Sequence, residues 1–106
     1  MNKNYVVIES WYSSHSCSVQ STASYLFSTK KEARKYIMED MRKCLDWYLY
    51  EYCEFEKSDK ENIKSIKDNT TKTMNEKDGF YGLYPDHGER RYWEYYICEV
   101  EPYKAA

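Results

Sequence analysis

The chain has 106 residues, with 16 Lys and Arg against 18 Asp and Glu for a net charge of -2, and a hydrophobic fraction of 42%. That length suits one hydrophobic core, and the near balance of charge removes any whole-molecule attraction to nucleic acid or to an anionic membrane. With 13 Tyr, 3 Trp and 3 Phe the chain is 18% aromatic, so its interior must be built largely from rings that carry polar tips.

The opening MNKNYVVIESWY lacks the apolar run of a signal peptide, and no stretch approaches the roughly 18 apolar residues needed to cross a bilayer. A cytoplasmic protein with no membrane partner is expected. In a reducing compartment Cys17, Cys44, Cys53 and Cys98 remain thiols and serve as small apolar filler.

Asn4 to Tyr12 is rich in β-branched and aromatic residues and predicts a strand, with Tyr5, Val7 and Trp11 on one side and Val6, Ile8 and Tyr12 on the other. The polar loop Ser13 to Ser18 leads into a second strand marked by Val19, Ala23, Tyr25 and Phe27, which completes a hairpin. Thr29 and Glu32 have the capping-box spacing and predict a helix start.

From there Ala33, Ile37, Met41, Cys44, Leu45, Tyr48, Tyr52 and Phe55 fall on one helical face. A helix of five or more turns follows, with Leu49, Tyr50 and Cys53 pointing away from the stripe and Trp47 at its margin. Leu45 to Phe55 also alternates as a strand would, but no Gly or Pro interrupts the helical pattern. Residues 56–78 are polar, with Ile63, Ile66 and Met74 as their apolar content, and predict a connecting segment with one short helix capped by Ser58. Gly79 to Tyr84 and Arg91 to Glu101 read as two further strands joined by the turn residues Pro85 to Gly88.

The expected fold is therefore α+β and a single domain over 1–106: a four-stranded antiparallel sheet, ββαββ in chain order, with one long helix across one face. Both sides of the first and last strands carry rings, whereas a sheet covered once should alternate to polar on its far side. Surplus ring surface on the outer helix and the sheet predicts a partner, either a second copy in a homodimer or another protein. The expected anchors are Trp47, Tyr50, Trp93 and Tyr95, with Glu51 and Glu54 as an acidic rim.

Candidate chemistry is sparse. His15 and Cys17, joined by His87 and Cys98, would supply two nitrogen and two sulfur ligands, but the paired spacing of a structural zinc site is missing, and no metal or other cofactor is expected. At the second hairpin tip His87, Glu89, Arg90 and Arg91, with His15, form a set suited to binding nucleic acid or cleaving RNA: an acid, a base and phosphate-binding guanidiniums. A polar Pro-Asp-x-Gly turn accounts for the same residues without catalysis. The serines of SSHSCSVQSTAS offer hydroxyls but no Gly-rich phosphate cradle.

Acidic groups beside tyrosines imitate phosphates beside bases, which suits occupation of another protein's nucleic-acid groove. In size, ring content and mixed charge the chain looks like the small accessory proteins of phages and mobile elements, including anti-CRISPR inhibitors of host defence, a likeness of class with no motif behind it. The function expected from sequence is accordingly that of a non-enzymatic inhibitor acting by occlusion.

Overall fold

The computed structural model describes residues 4–13 and 18–101. In chain order they form β1 (Asn4–Ser13), β2 (Ser18–Phe27), α1 (Lys30–Trp47), a π-helical turn (Tyr48–Tyr52), α2 (Lys60–Asp68), β3 (Thr71–Asn75), β4 (Phe80–Tyr84), a 3-10 turn (Pro85–Gly88) and β5 (Arg91–Val100). The architecture is α+β, with one antiparallel sheet and a long helix as expected, but the sheet has five strands in the order β2-β1-β5-β4-β3.

The unexpected strand is β3, which lies in the segment read as a polar connection. It pairs with β4 from Thr71 opposite Tyr84 to Asn75 opposite Phe80. As an edge strand it needs little apolar content, and its one large apolar side chain, Met74, is mostly exposed. The hydrogen-bonding edge of β4 defines it, so hydrophobic periodicity could not. In the same segment α2 forms with Ile63 buried and Ile66 packed against the core. Its cap is Asp59 rather than the predicted Ser58, and the Asp59 carboxylate accepts from Glu56 N at 2.8 Å.

Helix α1 begins where the sequence placed it. Thr29 is extended, and its hydroxyl accepts from Glu32 N at 3.1 Å, which satisfies one first-turn amide. Ala33, Ile37 and Met41 are fully buried against the sheet, and side chains of the size of Ile37 and Met41 each contribute about 1.5–3 kcal/mol by leaving water.

After Trp47 the helix widens. Cys53 N donates to Tyr48 O at 2.9 Å, an i to i+5 bond that places one extra residue in the turn and rotates the following side chains about the axis. Leu49, expected to point outward, is 0% exposed, and Cys53 packs against the core. Glu54 then takes a left-handed conformation (φ 57°), and Phe55 N closes onto Leu49 O at 3.0 Å to end the helical layer.

Alternation and register divide the sheet into two faces. Towards α1 point Tyr5, Val7, Glu9 and Trp11 of β1, with Trp93, Tyr95 and Ile97 of β5 and Tyr81 and Leu83 of β4. Their centre is the core, and much of its volume is the rings of Tyr48, Tyr81 and Tyr95. The far face meets no helix among the described residues. None of the described helices is long and apolar enough to cross a membrane.

Candidate functional site: an open aromatic sheet face and a tryptophan cleft

The far face presents a continuous aromatic surface. Tyr12 and Tyr92, directly opposite on β1 and β5, stack with centroids 4.7 Å apart and planes within 3°. Tyr84 joins them at 5.6 Å from Tyr92, and Phe80 packs on Tyr96 at 5.0 Å. The Tyr84 ring folds back across Gly82, where a Cβ would stand 2.5 Å from the ring, and its hydroxyl donates to Glu94 at 2.6 Å. Burial and that carboxylate together raise the Tyr84 phenol above its ordinary value.

Around these rings lie Val6, Ile8, Cys98 and Val100, with Leu26 at 66% and Tyr96 at 44% exposure. Glu94 is the one charged side chain that the described residues of the five strands direct to this face. In a chain that is 32% charged, such a gap marks the face off from the remaining surface.

On the helical side α1 leaves the outer part of β1 and β2 uncovered, because Ser21 and Ala23 are too small to meet it. The result is a cleft of about 490 Å³ with Trp11, Trp93 and Trp47 as its aromatic walls. Trp47 stands edge-on to Trp11 (6.5 Å) and to Trp93 (5.9 Å), with both interplanar angles at 85°. Tyr25 and Lys43 complete the rim.

Glu9 and Cys44 of the cleft wall belong to a network of acids and hydroxyls that joins β1, β5 and α1. Tyr95 Oη donates to Asp40 Oδ2 at 2.8 Å, Cys44 Sγ to the same oxygen at 3.4 Å, and Tyr36 Oη to Glu9 Oε2 at 3.4 Å. Burial first, and the adjacent Asp40 second, push the Glu9 carboxyl up to about 8. The same two influences push the Cys44 thiol well above its usual range, and burial does so for the Tyr95 and Tyr36 phenols. Glu9, Asp40 and Cys44 offer ligand atoms within 4.8 Å of one another. In donor type they suit zinc, but the raised thiol opposes the thiolate that zinc prefers.

The residues singled out from sequence separate in space. Trp93 and Tyr95, expected as surface anchors, are 6% and 0% exposed and belong to the core, because β5 turns its odd positions toward α1. Trp47 is 39% exposed on the cleft wall, while Tyr50 is half-buried and Glu51 and Glu54 are exposed. These four lie on the helical layer, on the opposite side of the sheet from the open face.

At the hairpin tip His87, Glu89 and Arg90 are exposed, but Arg91 turns inward: Nη1 donates to Ser13 Oγ at 2.7 Å, and the guanidinium stacks on Trp11 and Tyr52 at 5.2 and 4.9 Å. Asp86, His87 and Gly88 are all left-handed, so the tip is a tight reversal. His15 and Cys17 lie outside the described residues. The other two members of the metal set stand apart, since Cys98 is about 20 Å along β5 from the Arg91 end that carries His87.

Sequence reasoning passed over Glu9 and Asp40. The signal was present: Glu9 alternates with Val7 and Trp11 on the core side of β1, and Asp40 stands in the middle of the α1 stripe between Ile37 and Cys44. An acid on the apolar face of each of two packed elements predicts that the two meet. Compared with protein-family models, curated proteins and solved structures, the chain matches none.

Proposed function

We propose that the protein is a non-enzymatic interaction module that binds another protein through the open sheet face and acts by covering the surface it binds. The observation that carries this reading is the near absence of charge on that face: among the described residues of the five strands Glu94 is the one charged side chain beside Tyr12, Tyr84, Tyr92, Tyr96 and Phe80, their other neighbours being aliphatic or small and uncharged. Depletion of charge at the centre with enrichment in tyrosine and phenylalanine is the compositional mark of an interface core, and rings of this kind dominate binding energy. The role of a phage or mobile-element inhibitor, with a nucleic-acid-handling protein of the host as partner, belongs to this proposal on the grounds of size and composition.

The test is affinity capture from the native cell with the wild-type chain and with the Ile8→Lys/Tyr96→Lys double variant, read by mass spectrometry, alongside sedimentation of each protein alone. Proteins retained by the wild type and lost from the double variant support the proposal. A monomeric wild type that retains nothing beyond what the variant retains overturns it, and dimerisation abolished by the variant makes the occupant a second copy. No geometry favours the RNA-cleaving alternative, since Arg91, one of its two phosphate-binding candidates, is held inward.

A further inference from the structure

The tryptophan cleft lies on the other side of the sheet from the open face, and what it holds is independent of the function proposed above. Its wall carries the carboxyl group of Glu9, and Asp40, which does not itself line the cleft, is close enough to Glu9 to share a proton. Among the described residues the hydrogen bonds they receive come from neutral donors: Tyr36, Tyr95 and Cys44. The ion pairs among the described residues, Arg34 with Glu76 and Lys64 with Asp68, are elsewhere, so among those residues neither acid forms an ion pair. Burying negative charge without a counter-charge is costly, and here Glu9, one member of the pair, borders a space of about 490 Å³. Beside it stand three indoles, the side chains whose faces best attract a cation. Trp11 already engages one, the Arg91 guanidinium at 5.2 Å, and Arg91 does not line the cleft.

We propose that the cleft binds a small organic amine, its ammonium group set against Glu9 and its apolar body against Trp11, Trp47 and Trp93. The volume selects a free ligand over a partner's side chain, since 490 Å³ falls in the range of small-molecule pockets and far exceeds a lysine side chain. The lining selects an organic cation over a metal ion, since indoles supply no ligand atoms and the Cys44 thiol resists ionisation. Binding the ammonium favours ionised Glu9, so the complex sheds a proton below about pH 8 and tightens as pH rises to that value. The groups facing Glu9 are Tyr36, Asp40, Lys43 and Cys44 of α1, Tyr95 of β5 and Tyr25 of β2; Asp40 supplies the other carboxylate, and Lys43 at the rim opposes the cation.

All 3 tryptophans of the chain line this cleft, so fluorescence excited at 295 nm, where tryptophan alone absorbs, reports on it directly. The wild-type protein is titrated with phenethylammonium, with uncharged 3-phenylpropanol and with anionic 3-phenylpropanoate, which share a ring and differ in charge. The expected order is amine at least tenfold tighter than alcohol, with no response to the acid. Glu9→Gln should weaken the amine at least tenfold and abolish the pH dependence while leaving the alcohol unchanged, which also shows that the variant is folded. Equal affinity for amine and alcohol, or an unaltered amine affinity in Glu9→Gln, overturns the proposal. So does tighter binding of a lysine-containing peptide, or of Zn²⁺ alone, than of the amine.

Discussion

Tyr95 and Tyr81 face each other across β5 and β4, both 0% exposed, and the same deletion should act on them with opposite sign. The Tyr95 hydroxyl donates to Asp40, so Tyr95→Phe leaves a half-buried carboxylate short of a donor and should cost about 1–3 kcal/mol. The Tyr81 hydroxyl is buried with no protein partner, so Tyr81→Phe should be neutral or stabilise by up to about 1 kcal/mol. Urea denaturation of the two variants checks the pair. Glu9 sets a pH dependence. Its folded value, about 8, stands above the ordinary carboxyl value of 4.5, so the folded state holds the extra proton between those limits. Stability is therefore fullest below pH 4.5 and declines as pH rises toward 8, a loss of about 1–2 kcal/mol after discounting for solvent. Denaturation midpoints measured from pH 5 to 8 should fall in the wild type and stay flatter in Glu9→Gln.

Among the elements, the π turn makes the sharpest distinction between what periodicity implies and what the chain does. The helical stripe by itself places Leu49 on the outside, where Leu49→Ala would change stability by less than about 0.5 kcal/mol. In the structure Leu49 is fully buried, and the same substitution should cost about 2–4 kcal/mol in a thermal or urea melt. Glu54 ends this turn at φ 57°, a conformation that glycine adopts without strain, so Glu54→Gly should leave stability unchanged or raise it by up to about 1 kcal/mol. The helix start was legible because a cap is a local exchange between Thr29 and Glu32. The widening at Tyr48 was not, because it is set by how Tyr48 and Cys53 fit a core assembled from distant strands. β3 was hidden for a related reason: Met74 stays exposed, and only pairing with β4 makes a strand of Thr71–Asn75.

The molecule as a whole is a slab, 59 × 28 × 22 Å, with helices on one side of the sheet. Packing a further layer on its open side would cover the tyrosines and Leu26 that now meet solvent. Because that face is solvent-accessible in the single chain, charging it should disturb binding far more than folding. Ile8→Lys/Tyr96→Lys is expected to shift the denaturation midpoint by an amount worth no more than about 1 kcal/mol. Over the same concentrations it should remove any self-association seen by sedimentation and any partner retained on capture.

The sequence by itself determined the α+β class, both hairpins, the cap of α1 and the excess of rings over what one helix can cover. Each of these rests on a neighbouring pair, a period or a composition that the chain carries locally. It also showed that both sides of β1 and β5 are aromatic, but not which rings would be left outside. Only the tertiary structure decided that Trp93 and Tyr95 enter the core while Tyr92 and Tyr96 stay on the open face. Choosing between two apolar sides requires knowing where α1 lies, and strand alternation is symmetric in that choice. The meeting of Glu9 with Asp40 likewise depends on the register at which α1 crosses β1, which is fixed by Ala33, Ile37 and Met41 finding room against Val7 and Tyr95.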